Sequence, residues 1–467
     1  MYKKLVLVIL CLSFILLNLH EESSAETSNI INPNQVYTYE IMTKDIVRLA
    51  AAYPDLITYK SIGTTLYGRQ IWAVKLGKGT PAVFINASHH AREWLTTTLT
   101  MNMIDQYAQA FVNKKKILEF NVQELLNKTS IWFVPMVNPD GVTLQQKGAK
   151  AFPTNIRAKL IQMNGGSDDF SKWKANAEGI DPNRQYDADW EHITAISYRP
   201  NWKNYKGIAP VQTAEAKTLV NFTKEIKPEI ALAYHSAGEI LYWNFHTKAE
   251  NLNRDKKMAL TLTYLTGYSL VPDVASPSGG GYTDWFIQEF NKPGFTAEIG
   301  RKLGEDELPL SSFGGIWGQN KAVGLYLANE GYKLWKAKNP VTKVALNVTT
   351  FENTPLYNDV TGVTYKSMEP QKVMAFEKSG EHWFHIHTST GDHWIYSKKV
   401  IVGETDTISE DIILNEYTNM YDIPFKDDSA SAGIITPQVV HKIEQWNDWY
   451  KIETWLGDKW IQIKKED

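Results

Sequence analysis

The sequence predicts a mixed α/β domain over residues 36–340 followed by two small all-β units, on three observations. Helix-like segments alternate with short apolar strands as far as about residue 340, the pattern changes to short aromatic strands after Pro340, and those strands recur at a fixed offset. A chain of 467 residues exceeds one average domain, in keeping with several units of which one has a substantial core.

The chain opens with Lys3 and Lys4, an apolar run from Leu5 to about Leu19, and the small residues Ser23-Ser24-Ala25. This pattern predicts a secretory signal over 1–25, removed after Ala25. The run is shorter than the roughly 20 residues that span a bilayer, so a secreted, extracellular protein without a stable membrane anchor is expected. Cys11, the only cysteine, lies inside it, and a mature chain with no disulfide suits a bacterial exoenzyme. Only "ETSNIINPNQ" then precedes the α/β domain, so no folded prosegment is expected between the two.

"YEIMTKDIVRLAAAYPD" has helical apolar spacing, and "QIWAVKLG" and "AVFINAS" read as strands. The helix-like "LTTTLTMNMIDQYAQAF", "TAEAKTLVNFTKEI" and "NKAVGLYLANEGYKLWKA" alternate with the strand-like "SIWFVPMVN", "EIALAYHS" and "GFTAEIG". "GGSDDFSKWKANAEGIDPNRQYDADW" is too rich in turn residues for regular structure, and "SPSGGGYTDW" reads as a mobile Gly-rich loop. Long loops inside compact domains are usually functional.

Beyond Pro340, "HWFHIHTSTGDHWIYSKK" realigns on "DWYKIETWLGDKWIQIKK", with Trp383/Trp449, Gly391/Gly457, Asp392/Asp458 and Trp394/Trp460 all offset by 66 positions. The copies, about 347–400 and 411–467, are each the size of a small β-barrel with a tight "GD" turn. They resemble bacterial SH3-like modules, which in exported wall enzymes commonly bind peptidoglycan. That resemblance implies cell-wall association, against the alternative of spacers without a ligand. His382, His385, His387 and His393 crowd the first copy, but Lys451 and Glu453 replace His385 and His387 in the second, which argues against a metal site there. A net charge of -3, with both signs spread along the chain, excludes nucleic acid as the main partner, and a monomer is expected.

Chemistry centres on "FINASHHAREWLTT". His90 with Glu93 gives H-x-x-E and His89 with Glu93 gives H-x-x-x-E, and on a helix either spacing puts both side chains on one face. A zinc hydrolase needs three protein ligands and an open position. His90/Glu93, His235 and Glu298 each stand at or just beyond the end of a predicted strand, where α/β sheets gather ligands. Local spacing does not choose between the two histidines.

"HHAREW", "VNPDG", "GIDPNRQYDADW", "YHS", "GGGYTDW" and "FTAEIG", in this order over about 36–340, resemble the zinc carboxypeptidase family. The resemblance implies a mixed sheet with helices on both faces and one Zn2+ per chain. It makes His90, Glu93 and His235 the zinc ligands and leaves His89 a neighbour. It implies that Asp181 orients His90, that Glu298 is the base taking a proton from zinc-activated water, and that Asn183 and Arg184 clamp a substrate carboxylate. Arg92, grouped with Glu298 and Lys174 as catalytic, matches a residue contacting substrate upstream of the cleaved bond.

Three departures narrow the substrate. Trp173-Lys174 stands where digestive members have Trp-Arg, Ser276 takes the mobile-loop tyrosine position, and Thr283 lies at the floor of the side-chain pocket, with Tyr282 beside it as a further substrate-binding candidate. With the appended modules, these resemble the bacterial branch that hydrolyses the γ-D-glutamyl bond to a diamino acid such as meso-diaminopimelate. The alternatives are a general secreted carboxypeptidase trimming peptides and an inactive wall-binding protein.

Overall fold

Side chains alternate between the two faces of a strand, so the apolar pattern of the central strands decides which helices cover which face. The structure, a computed structural model, describes residues 29–194, 196–273, 279–360, 364–426 and 431–463; the expected signal segment 1–25 and Ser276 lie outside them. Helix α1 (Tyr39–Ala52) starts at Thr38, whose hydroxyl accepts from Ile41 N. Strands β1 (Ile57–Thr64) and β2 (Gln70–Leu76) follow as an antiparallel hairpin. With β3 (Ala82–Ala87), β4 (Ser130–Val134), β5 (Ala231–Ser236), β6 (Ile240–Tyr242), β7 (Ser269–Leu270) and β8 (Gly294–Ile299) they form an eight-stranded mixed sheet of order β1-β2-β4-β3-β5-β8-β6-β7. Its centre, β4-β3-β5-β8, is parallel.

The principal helices are α2 (Leu95–Val112), α3 (Ala214–Ile226), α4 (Ala249–Thr266), α5 (Tyr282–Phe290) and α6 (Val323–Lys338). Val83, Ile85 and Ala87 of β3, Leu232 and Tyr234 of β5 and Phe295, Ala297 and Ile299 of β8 share one core with α1, α2, α4 and α6. Phe84, Ala231 and Ala233 face the other side, against Leu219 and Phe222 of α3 and Tyr282 and Phe286 of α5. The period of two therefore carries His235 onto the second face after Ala231 and Ala233, and Glu298 onto it after Thr296. The register pairs Glu298 with His235 on adjacent strands, so the two groups meet at the carboxyl edge of the sheet.

The two C-terminal sheets are antiparallel and share one topology. Strands β9 (Val341–Thr350), β10 (Thr354–Tyr357), β11 (Thr364–Met368), β12 (Lys372–Ser379), β13 (Trp383–Thr388), β14 (Gly391–Tyr396) and β15 (Val400–Val402) are ordered β11-β10-β14-β13-β12-β9-β15. Strands β16 (Asp406–Ile413), β17 (Thr418–Tyr421), β18 (Ser431–Ile435), β19 (Val439–Trp446), β20 (Trp449–Ile452) and β21 (Lys459–Gln462) repeat that order as β18-β17-β21-β20-β19-β16. The first sheet thus begins at Val341, ahead of the expected 347.

The matched residues have matched roles. Trp383 and Trp394 pack with Val360 and with Trp335 of α6, while Trp449 and Trp460 pack with Tyr421 and Ile401. Gly391 and Gly457 both take positive φ, 116° and 81°, a conformation that favours glycine in the turn. His385 stacks on Trp394 and bonds Glu377, whereas His387 bonds Asp392, so these histidines serve separate carboxylates. Among the described residues no helix is long and apolar enough to cross a membrane.

Candidate active site

The chain leaves β3 through Ser88, His89 and His90 into a 3-10 turn, Ala91–Glu93, that leads into α2. In a 3-10 turn residues three apart eclipse each other, which aligns His90 with Glu93 and sends His89 elsewhere. His90 Nδ1 lies 2.8 Å from Glu93 Oε1, and His235 Nδ1 lies 2.9 Å from Glu93 Oε2 and 3.1 Å from His90 Nδ1. His89 is fully buried, with Nε2 2.8 Å from the Tyr186 hydroxyl and its ring stacked 5.4 Å from that of His235. Burial, then the neighbouring His235 and His90, push its pKa well down, so His89 is an uncharged wall.

The donor set fits a zinc ion. Asp181 Oδ1 stands 3.1 Å from His90 Nε2, which therefore carries the ring proton of a neutral imidazole and leaves Nδ1 as a lone pair. That lone pair is aimed at a carboxylate oxygen and at a second ring nitrogen, a crowding of electron-rich atoms that a cation relieves. His90, Glu93 and His235 each offer one atom within 4.8 Å of the others, with one buried carboxylate and two imidazoles as the chemistry requires. Burial raises the Asp181 carboxyl, but His90, Arg184 and Lys174 outweigh it and hold the group well below the usual range. The same balance, burial against His90 and His235, keeps Glu93 ionised.

Loops from three regions are locked together beneath this cluster. Asn138, in "VNPDG", donates to His89 O (2.9 Å) and to Ala175 O (3.1 Å) while its carbonyl caps Gly141 N (2.9 Å). Asp140 of the same motif accepts from Tyr67 N and pairs with Arg69 at 2.7 Å. Ala91 N donates to Lys174 O and Arg92 N to Trp173 O, tying the segment bearing Lys174 to the turn bearing the ligands. Asn176 holds that segment from behind, accepting from Glu178 N and Ile180 N and donating to the buried Glu215 carboxyl.

Beside the cluster opens a cleft of about 370 Å³. Its lining includes His90, Lys174 and Glu298, the polar Asn183, Arg184, Thr283, Asp284 and Thr296, and the apolar Trp243, Val271 and Pro272. Burial, then the nearby Glu93, raises the Glu298 carboxyl, against the lowering pull of His235, Lys174 and Arg92. Asp181 Oδ1 also accepts from Asn183 N at 3.0 Å, so one carboxylate fixes both the ligand His90 and the start of the Asn183-Arg184 turn. Arg184 donates through Nη1 to Asn183 O, and its Nε has no partner among the described residues. Thr283 and Thr296 bond at 2.6 Å through their hydroxyls, a small and polar part of the cleft lining. The Asp284 carboxylate accepts from Gly281 N, and burial raises its pKa to about 6.

The structure corrects the placement of two residues. Tyr282 is not in the cleft: it is fully buried in the first turn of α5, its hydroxyl 3.0 Å from Thr223 Oγ1 and its ring among Phe84, Tyr186 and Phe286. The stretch expected to be a mobile loop becomes helical at Tyr282, because the Asp284 carboxylate reaches back to accept from Gly281 N and the apolar face of "YTDWFIQEF" has a core to enter. Arg92 is buried and turned from the cleft, with Nη1 on the backbone oxygen (2.8 Å) and the carboxylate (2.5 Å) of Glu305. Sequence reasoning missed Tyr242, which lines the cleft from β6, and Asn138, whose bonds join the loops; only the "VNPDG" resemblance signalled the latter.

Residues 42–303 match the family model described as zinc carboxypeptidase. The chain belongs to the zinc carboxypeptidase family. Membership makes it a zinc metallopeptidase, with His90, Glu93 and His235 as a possible metal site. Among its relatives in the family, gamma-D-glutamyl-L-diamino acid endopeptidase 1 of Lysinibacillus sphaericus is 36% identical over 305 residues, 65% of this chain and 74% of that protein. Carboxypeptidase B of Rattus norvegicus is 27% identical over 277 residues, 56% of this chain and 62% of that protein. Among solved structures, bovine thrombin-activatable fibrinolysis inhibitor in complex with tick carboxypeptidase inhibitor superposes with a TM-score of 0.53 at 17% identity, over 64% of this chain and 99% of that one, a likeness of fold.

Proposed function

We propose that this chain is an exported zinc peptidase that hydrolyses the γ-D-glutamyl bond to a diamino acid in peptidoglycan peptides. The observation that carries the reading is the cleft lining: Thr283 bonded to Thr296, with Asp284 and Arg184 in the same cleft, in a chain 36% identical over 305 residues to a γ-D-glutamyl-L-diamino acid endopeptidase. A diamino acid brings a carboxylate that suits the Arg184 fork and an amine that suits hydroxyls and a carboxylate.

His90, Glu93 and His235 would hold the zinc ion, which would supply Lewis acidity toward a carbonyl and toward water. Glu298, beside His235 on the parallel strand, takes the proton of the attacking water and passes it to the leaving amine nitrogen. Burial raises its carboxyl above the ordinary carboxylate range, which makes it a stronger base for taking that proton and handing it on. Lys174 offers positive charge to the carbonyl oxygen as it becomes anionic, as a point charge and not the planar fork of arginine. Asp181 keeps His90 in one tautomer, and Asn183 and Arg184 hold the substrate carboxylate.

Residues 1–25 carry the secretory pattern, and the duplicated β units suit an SH3-like pair that holds the enzyme on the wall. A second reading, a general carboxypeptidase, is favoured by the exposure of Arg184 to the cleft and by the carboxypeptidase B relatives. Steady-state kinetics on L-Ala-γ-D-Glu-diamino acid tripeptides against ordinary peptides with C-terminal Lys or Leu separates the two. The proposal expects kcat/KM higher by two orders of magnitude or more on the γ-linked set; the reverse order would replace it with the second reading.

A further inference from the structure

We propose that the duplicated tryptophan pair is a mechanical joint and not a ligand platform: in each copy it seals the β unit onto the part of the chain before it, so that the peptidase domain and both units move as one body. In the first copy Trp383 of β13 and Trp394 of β14 pack with Trp335 of α6, and Tyr357, at the end of β10, stands edge-on to Trp383 at 5.0 Å. In the second, Trp449 of β20 and Trp460 of β21 pack with Ile401 of β15 and with Phe351, both from the first copy, and Tyr421, at the end of β17, stands edge-on to Trp449 at 5.4 Å. Equivalent positions thus meet a different partner each time, always the neighbour that precedes them in the chain. A tryptophan pair on a small β unit also suits a ligand, but these four rings are 3%, 5%, 6% and 3% exposed in chain order and leave no open face for one.

Domains joined by a flexible linker over a small polar interface move relative to one another by default. Here both linkers are short and tied. Only Asn339 and Pro340 separate α6 from β9. Asn339 N and Nδ2 both donate to Trp335 O (3.0 and 2.8 Å), and Ser379 Oγ donates to Asn339 O (2.7 Å). A Cβ on Gly380 would come within 2.5 Å of Asn339 Oδ1, so the β12–β13 turn lies directly on the end of α6. Between the copies, Gly403 N donates to Asn347 O (2.8 Å), Glu404 pairs with Lys372, and Thr405 Oγ1 donates to the Glu444 carboxylate of the second copy. Trp446, at the matching β19–β20 turn, donates through Nε1 to Val402 O (3.3 Å), and its ring meets Phe425, which in turn meets Phe351.

The receiving side follows the same logic. Glu352, Thr354 and Tyr357 recur as Glu416, Thr418 and Tyr421, which aligns Phe351 with Asn415. Phe351 meets the tryptophan pair of the second copy, whereas Asn415 is exposed, so the apolar residue stands where a unit docks and a polar one where the surface faces solvent. An arm locked in this way fixes the distance and direction between the cleft and any surface that the second unit grips.

The test is a pulsed electron-spin measurement of distance distributions on the mature zinc-loaded protein, which holds no cysteine once residues 1–25, with Cys11, are removed. Spin labels go on three side chains that are 88%, 59% and 74% exposed, through Tyr264→Cys on α4, Met374→Cys on β12 and Tyr417→Cys in the second copy. The first two labels together read the joint to the peptidase domain, and the last two read the joint between the copies. Each pair is expected to give one narrow peak. Trp335→Ala should broaden the first distribution by about twofold or more and leave the second narrow, and Trp446→Ala should do the reverse. Both rings are half-buried at the edge of their clusters and outside the core of either β unit, so both variants should fold, which circular dichroism and unchanged turnover of a soluble peptide check. A broad distribution for either pair with both joints intact would overturn the proposal without recourse to the variants, as would narrow peaks that survive both substitutions.

Discussion

Asp181→Asn isolates what one buried carboxylate contributes to metal binding and to substrate binding. In the wild type Oδ1 serves both His90 Nε2 (3.1 Å) and Asn183 N (3.0 Å), and Oδ2 accepts from Asn204 N (3.3 Å). An asparagine keeps the volume and one acceptor, so its carbonyl can still meet His90, but its amide group then opposes the Asn204 N–H, donor against donor. The imidazole also loses the full negative charge that makes Nδ1 a stronger base. Losing such a partner weakens metal binding by about 10- to 100-fold, about 1.4 to 2.7 kcal/mol. Because the same oxygen fixes the Asn183-Arg184 turn, KM should rise as well, with kcat at saturating zinc falling less. Zinc affinity would be measured by competition with a fluorescent chelator and KM at saturating metal. An unchanged zinc affinity would refute the claim that Asp181 acts through His90, and a raised KM alone would confine it to the turn.

Glu298→Gln should retain about one zinc per chain and near-normal substrate KM but lose kcat by about 10³-fold or more, since removing a general base costs at least that order; turnover within tenfold of wild type would remove Glu298 as the base. Glu215 is buried, and burial, supported by the nearby Asp140 and Glu178, raises its pKa from 4.5 to about 7. Folding therefore favours the protonated carboxyl: its contribution is complete below about pH 4.5 and is lost as pH rises through about 7, on the order of 3 kcal/mol in all. Glu215→Gln should accordingly raise Tm at pH 8 relative to wild type and change it little at pH 4.5, as read by calorimetry; a parallel shift at both pH values would contradict the assignment. Thr283→Val leaves Thr296 Oγ1 without its 2.6 Å partner in the cleft wall, so it should cost about 1 kcal/mol of stability and raise KM for diamino acid substrates more than for peptides ending in leucine; equal effects on both would separate Thr283 from specificity.

The parallel centre of the sheet was legible because its strands are buried on both faces and read as apolar runs, as in "AVFINAS", which leads into His89 and His90, and "EIALAYHS", which carries His235 next to its end. The edge strand β1, "ITYKSIGT", is mostly exposed and carries no such run, so it went unread. Helix α4 hid for a related reason: it opens with the charged "AENLNRDKK" and buries Met258, Ala259 and Leu262 only in its second half. The choice between His89 and His90 was legible only by resemblance, since it depends on a 3-10 turn that spacing does not announce. Tyr282 was misplaced because three glycines before it suggested a loop, while the capping carboxylate of Asp284 that starts the helix lies after it. The turning of Arg92 toward Glu305 depends on a partner more than 200 positions away, which no local pattern reports. The repeat was legible in its tryptophans and glycines because those positions fill a core and a tight turn, where few residues substitute.

The most direct test of the central claim is mass spectrometry of defined muropeptides incubated with the mature zinc-loaded protein beside ordinary C-terminal peptides. The account predicts fragments ending in γ-D-Glu together with released diamino acid or diamino acid peptides, and ordinary peptides left whole. Trimmed ordinary peptides with intact muropeptides would contradict it.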